Sequence, residues 1–594
     1  MHVRTLAKLA VVTATLCFGL QAAEQGPSLR FASVSPEDAA KELSGLEQLD
    51  TSAAMWIWSD KYVYQPGEQL TLRWTVKPNG DLIPYTVVAY RQNNQTGEKF
   101  YLPNGTQEAT DIFGNTVEQG FDIIRLPEAE KAVVVGAGGL FPAVTIPEEY
   151  GMHTIVVEVR EFTGGRVVKA AYWKIGVVEG FEDITGDVTN DRTLTNNKAY
   201  RLSGLLIVRD GGVLNIEPGT FVIGQPGSQP PSAIIVGNTG RIEARGTRAR
   251  PIIMTSSQPF GQRRGGDWGG LVLLGRAPSN WPAGVGNIEG LPPDSDTEYG
   301  GDDPTHNCGT LTYVRLEFAG AELRPNDEIN AFTWGGCGSQ TVSHHLQSNY
   351  GLDDNFEWFS GNNDASYLVS AYARDDHFDA QIGWTGRVQY FVGIGNQDNT
   401  NRGFEVDNNE NDFGATPVTN PTFFNGTLVG VGDLFSEGVD EGTVSGMYLR
   451  RGAGGSYNNI IIQNWVDSAI NVNDDATAAR IGSGELTLDG ILMWSNGVAS
   501  GAANTIAGQV TERALPLVNG SPNILLANPM LRRPFEFSDP DFRPMLESPV
   551  YRANWVQPPD DGFFQQSARY IGAFGEEDWT EEWTTFIQEQ DMAP

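Results

Sequence analysis

Cysteine is scarce in this chain of 594 residues. There are three, and Cys17 lies inside an N-terminal apolar run. Neither C-x-x-C nor H-x-x-x-H spacing occurs, so the usual zinc patterns are absent. Cys308 and Cys337 remain, and in an exported chain two thiols pair, closing a loop worth roughly 3–4 kcal/mol. The alternative is a two-cysteine metal site drawing on His306, His344 or His345. Basic residues are also short, with 40 Lys+Arg against 74 Asp+Glu and a net charge of −34. That balance repels a phosphate backbone, so nucleic acid is not an expected partner. It suits divalent cations, or solubility in a salty extracellular medium.

Long hydrophobic runs are absent beyond Ala23. The one before it, Leu9–Leu20, follows Arg4 and Lys8 and precedes Ala22 and Ala23. This reads as a signal peptide over 1–23. Export to the cell surface, the medium or the periplasm is expected, with no transmembrane segment. Cys17 lacks the small residue that a lipid-anchored cysteine wants before it. Familiar catalytic signatures are missing too: there is no G-x-S-x-G, no strand–GxGxxG–helix context, and no triad around "HNCGT" or "SQTVSHH".

What the chain has in plenty is glycine, 70 residues of it, and short β-runs. Residues 24–50 are polar and read as a linker. Over 51–180, "EQLTLRWTV" alternates Leu70, Leu72, Trp74 and Val76, and "MHTIVVEVREF" alternates Ile155, Val157 and Val159. With turns such as "YQPGE" and "KPNGD", this predicts an immunoglobulin-like β-sandwich. From Leu194 the texture changes, and "GGVLNIEPGTFVIG" resembles the entry turn of secreted right-handed parallel β-helices. Phe332, Phe356, Phe378 and Phe404 then recur about every 24 residues, a period that marks a solenoid. Turns of a parallel coil stack about 4.8 Å apart, so 194–530 is expected to form one parallel β-helix. In 531–594, "EEDWTEEWTTFIQEQ" sets Trp579, Trp583 and Phe586 at helical spacing. It predicts a short amphipathic helix capping the coil. The expected class is therefore all-β: a sandwich, a parallel β-helix and a capping helix.

Alternation fixes which residues meet across turns. Phe332, Phe356, Phe378 and Phe404 form one inward column; Trp334, Trp358, Ala380 and Val406 form another. Thr333, Glu357, Asp379 and Glu405 then stack on the outer face, with Asn355 and His377 in the preceding outward column. Stacked carboxylates repel. Three remedies exist: screening by water on an open face, a raised pKa, or a hard cation such as Ca²⁺. Asp353, Asp375, Asp407, Asn408 and Asn409 offer further oxygens. The expected metal ligands are Asp353, Glu357, Asp375, Asp379, Glu405 and Asp407. A catalytic version would use Glu357, Asp379 and Glu405 with His377, since glycoside hydrolysis needs two carboxyl groups about 5–9.5 Å apart. Tyr390 or Trp384 could stack a sugar. A lyase could draw on Arg374, Arg387 or Arg402.

Several blocks carry a family likeness: "GGDWGGLVLLGRAPSNW", "NCGTLTYVRLEFAGAEL", "DEINAFTWGGCGSQT", "DDNFEWFSG", "GWTGRVQYF", "GFEVDNNENDFGATP" and "YIGAFGEEDWTEEWTTF". They resemble a large family of exported bacterial proteins with phrases such as W-G-G-[IL]-V-[IL]-L-G and D-D-G-[FI]-E-[WF]-F-G-G. The likeness spans roughly 194–590 and leaves 51–180 outside. Asn355 stands where that family usually has Gly. The resemblance implies a right-handed parallel β-helix of pectate-lyase-like architecture, and no settled activity comes with it. The leading expectation is an exported protein binding ligands such as glycans through an acidic face with Ca²⁺. The rivals are a polysaccharide lyase or glycoside hydrolase, and a structural surface or matrix protein.

Overall fold

The computed structural model describes residues 54–592, other than 78–84, 102–108, 111–115, 118–123, 126–137, 141–143, 162–166, 289–290, 292–295, 325–326, 397–399, 433–442 and 498–504. The expected signal peptide and linker lie outside the described residues. Among those described, no helix is long and apolar enough to cross a membrane.

The N-terminal part holds two main sheets. In one, Leu72–Lys77 pairs antiparallel with Ala54–Ser59 and Gly138–Leu140. In the other, Gly151–Glu161 pairs antiparallel with Val167–Val177 and Tyr85–Asn93. Leu70, Leu72, Trp74, Ile155 and Val157 are buried, as alternation requires. Their core also takes in Ala199, Phe221 and Ile253, so this part packs against strands further along the chain.

Those strands belong to a parallel coil. Among the described residues, one 23-stranded sheet runs from Phe181–Val188 to Ile524–Leu526. It starts before the expected Leu194, because Phe181–Val188 pairs in parallel with Ala199–Val208. That first strand is mostly exposed and polar, which hides its signal. The phenylalanine period is one turn: Phe332, Phe356, Phe378 and Phe404 are successive partners, buried with rings 5.1, 5.5 and 5.7 Å apart. Trp334 and Trp358 stack at 5.3 Å in the neighbouring column. Stacking of Phe332 on Phe356, Phe356 on Phe378 and Trp334 on Trp358 adds to area burial across these turns.

The longer strands bend at a left-handed residue. Tyr313, His345, Tyr367 and Tyr390 hold φ of 48°, 54°, 57° and 60°. Their rings stack outside that corner at 4.3, 4.2 and 4.8 Å, which holds a conformation non-glycine residues rarely adopt. The disulfide Cys308–Cys337 is formed, with Cα atoms 5.8 Å apart in the core, so the two-cysteine metal alternative falls.

The C-terminal segment does not form the expected amphipathic helix. Residues 576–588 are bends, turns and irregular chain, followed by a 3-10 turn at Glu589–Met592. The segment is a strap running back along the coil. Val556 N donates to Asn459 at 2.7 Å, Gln565 N to Gln389 at 2.7 Å and Thr585 N to Gln347 at 2.9 Å. Trp579 packs edge-on against Tyr367, and Trp583 against Tyr313. These backbone groups find partners on alternate turns of the coil, so a helix ladder is not needed to satisfy them. The coil interior is instead closed by Ala514, Leu517 and Val518, around the helix Leu515–Gly520.

Candidate functional site

Four strands build the site: Phe332–Cys337, Phe356–Gly361, Asp376–Gln381 and Arg402–Asp407. Their register stacks Thr333, Glu357, Asp379 and Glu405, followed by Tyr448. The column is outside the coil, as alternation predicts, but the face is not open. Glu357, Asp379 and Glu405 are only 3%, 6% and 4% exposed, so free screening by water is ruled out.

The cover comes from elsewhere in the chain. Pro278 O accepts from Gly361 N, and Asn280 N donates to Ile382 O. Beside this crossing, Ile288, Leu291, Tyr299 and Ile329 form a second apolar core over Ala233, Ile235, Val272 and Leu274. The runs "AIIV" and "LVLL" carried that signal, since strands apolar on both faces are covered on both. Asn330 donates directly to Glu357.

Arginines neutralise one end of the buried column. Arg402 bonds Glu405 and lies 3.1 Å from Asp376. Arg450 bonds the other oxygen of Glu405 and lies 2.7 Å from Asp407, whose second oxygen takes Arg451 at 2.7 Å. Tyr448 lies under both guanidinium groups, 4.6 Å from Arg402 and 5.2 Å from Arg450. Glu405 and Asp407, expected as metal ligands, are therefore held by guanidinium groups, which already supply the charge a cation would bring.

The other end is different. Asp354, Glu357 and Asp379 bring carboxylate oxygens within 4.8 Å of one another, and all three are buried. Gln381 donates to Glu357 at 2.7 Å, and Asp376 N donates to Asp354 at 2.9 Å. Asp379 Oδ1 is buried and has no hydrogen-bond partner among the described residues. Asp353, Asp354 and Asp375 form a second trio, with Asp353 and Asp375 half-buried. Sequence reasoning overlooked Asp354. Strict alternation gives Asp354 the inward parity of Phe356, opposite Glu357, so parity concealed it; it lies just before the strand Phe356–Gly361.

Burial pushes Asp379 far above the usual carboxylate range, and Glu357 and Glu405 add to the rise. Burial does the same to Asp354, helped by Asp376 and Asp353. Asp376 is pushed up to about 6 by burial, against the pull of Arg402. A carboxyl whose folded pKa exceeds its unfolded value, about 3.9 for Asp, stabilises the fold below that value and loses this as pH rises through the folded pKa. In calcium-free buffer, Asp379→Asn should therefore gain stability relative to the wild type as pH rises from about 4. Urea denaturation at stepped pH checks this; a gap independent of pH refutes it.

The remaining candidates lie apart from the carboxylates. His377 turns inward, with Nδ1 2.6 Å from Ser370 Oγ and its ring against Trp465. Burial pushes its pKa down to about 3, so it is a neutral core residue. Asn355 likewise bonds inward-corner partners, Ser348 and Ser370. Asn408 and Asn409 bond Asn280 of the covering segment. Trp384 is fully buried against Trp358 at 4.7 Å, and Tyr390 lies beneath the strap, so neither is a sugar platform. Arg387 pairs with Asp364 and Asp561.

A family model described as pectate-lyase like beta helix domain matches residues 186–516. No curated protein matches the chain. Among solved structures, it is similar to a conjugative transposon lipoprotein from Bacteroides eggerthii, with 12% identity over 21% of this chain and 95% of that one, at a TM-score of 0.13.

Proposed function

We propose, for a chain that belongs to the pectate-lyase-like β-helix family, an exported protein that binds an extracellular polysaccharide and carries Ca²⁺ in its outer-face carboxylate cluster. The observation that carries this reading is the buried trio Asp354, Glu357 and Asp379, with Asp379 Oδ1 lacking a hydrogen-bond partner among the described residues. The donor set fits a hard cation, since all of its donors are carboxylate oxygens. Two oxygens on opposite sides of a Ca²⁺, each at about 2.4 Å, stand about 4.8 Å apart. The oxygens of the trio lie within 4.8 Å of one another, so one cation can reach all three. A bound cation would supply the positive charge that arginines supply around Glu405. Residues 51–180 serve in this reading as an immunoglobulin-like spacer, and residues 1–23 as the export signal.

The rival reading, a lyase or hydrolase acting through Glu357, Asp379 and Glu405, requires a carboxylate that meets sugar. Their burial weighs against it. Calorimetry against neutral and uronic-acid polysaccharides, in Ca²⁺ and in chelator, tests the proposal. Saturable binding to one class is expected, weakened about tenfold or more by chelation. No binding across the panel contradicts it. New reducing ends or unsaturated products would replace it with the enzyme reading.

A further inference from the structure

One outer column of the coil runs beneath two different covers. Ala199, Phe221, Ile253, Arg315, Gln347 and Val369 are successive parallel partners in it. The first three are buried in the core of the N-terminal sheets, and Val369 in the core beneath the strap. The seam between the covers therefore falls at Arg315 and Gln347. We infer that the C-terminal tail, residues 587–592, is a clasp at this seam: the N-terminal sheets stay docked on the coil only while Glu589 is seated. The inference is independent of the cation reading.

Polar groups from all three parts build the seam. Tyr62 comes from the N-terminal sheets, where its carbonyl accepts from Gly176 N and its ring stacks on Trp173 at 4.7 Å. Its hydroxyl donates to Glu317 of the coil at 3.0 Å, and Thr255 donates to the other Glu317 oxygen at 2.8 Å. Arg315 lies 2.8 Å from Glu317, and donates to the Tyr62 hydroxyl at 3.2 Å and to Trp583 O of the strap at 3.4 Å. Arg263 lies 3.4 Å from Glu317 and 2.8 Å from Glu589 of the tail.

Burial makes the docking conditional. The side chains of Arg263, Arg315 and Glu317 are 1%, 2% and 1% exposed, so their charges must be compensated within the protein. Two guanidinium groups share the Glu317 carboxylate, and Glu589 supplies the second one. Without the tail, Arg263 keeps only its longer contact to Glu317. Glu589 also accepts from Gly261 N at 2.6 Å. Beside it, Ile587 and Met592 are buried in the same core as Ala54, Ile155 and Trp173. The last residues of the chain thus complete a core that its first strand begins, and docking of the N-terminal sheets waits on them.

Hydrogen exchange of the full chain, read by mass spectrometry in the wild type, Glu589→Gln and Tyr62→Phe, tests the clasp. In Glu589→Gln the strands Gly151–Glu161 and Val167–Val177 should exchange on the order of a hundredfold faster, as expected when a buried ion pair loses one partner. The turns from Phe332 to Asp407 should keep wild-type protection. Tyr62→Phe removes one hydroxyl, so the chain should still fold. The tail around Glu589 should nevertheless exchange about fivefold faster, because Tyr62 acts on it through Glu317 and Arg263. Opening confined to the tail in Glu589→Gln overturns the inference, as does unchanged exchange in either variant. Equal loss of protection along the whole coil in Glu589→Gln also overturns it, since the tail would then hold the coil itself and not the docking.

Discussion

Replacing Arg402 by methionine is expected to destabilise the coil by about 3–5 kcal/mol, the cost of leaving buried charge uncompensated. The side chain is 10% exposed and lies between Asp376 at 3.1 Å and Glu405, over the Tyr448 ring. Without it, Asp376 has lost its cation and Glu405 keeps only Arg450. Methionine preserves much of the packing on Tyr448, so the loss reports charge and not volume. Urea denaturation followed by tryptophan fluorescence measures it. Adding Glu405→Gln should recover about 1–3 kcal/mol, because contacting residues couple. A single-variant loss under about 1 kcal/mol would mean that the guanidinium contributes no more than a surface ion pair.

Trp583→Ala should have an effect of similar size, about 3–5 kcal/mol, for a large buried aromatic truncated to alanine. Trp583 is fully buried, 5.6 Å from the Tyr313 ring and 5.8 Å from His345. Its indole donates to Trp579 O at 2.8 Å, so the substitution also frees a turn of the strap. The strap is pinned beyond this point by Glu589, which bonds Arg263 at 2.8 Å and Gly261 N at 2.6 Å. Early proteolytic cleavage between the two anchors is therefore expected in the variant, ahead of global unfolding. If cleavage and stability match the wild type, the strap is not held by its tryptophans.

The coil was legible because its inward columns must repeat once per turn. Phe332, Phe356, Phe378 and Phe404 recur at that interval, and the same parity places Glu357, Asp379 and Glu405 together. Their burial was not legible from parity. The segment that crosses this face leaves the coil near Ala277, two turns upstream of Glu357, and periodicity carries no information about cover from such an excursion. One of the two arginines on Glu405 is similarly far in sequence, since Arg450 lies 45 residues on, whereas Arg402 is three residues before it. The C-terminal tryptophans misled for a related reason. A spacing of four residues suits a helix, but it also suits a single tight turn in a strap, closed here by Thr584 N donating to Thr580 O at 3.4 Å, whose rings land on different turns of the coil, Tyr367 for Trp579 and Tyr313 for Trp583. His377 sits at a corner, where strict alternation fails and its ring joins the core.

The central claim is that a hard cation neutralises the carboxylates gathered around Asp354 and Asp379. Thermal unfolding of the wild type and of Asp379→Asn, each in calcium and in chelator, tests it most directly. At a hundred times the dissociation constant, an ion bound only by the folded state adds about 2.7 kcal/mol, which raises the wild-type melting temperature. In Asp379→Asn the calcium-dependent rise should largely vanish, while the calcium-free melt stays as high as the wild type's or higher. An equal rise in both proteins, or none in either, would contradict the claim.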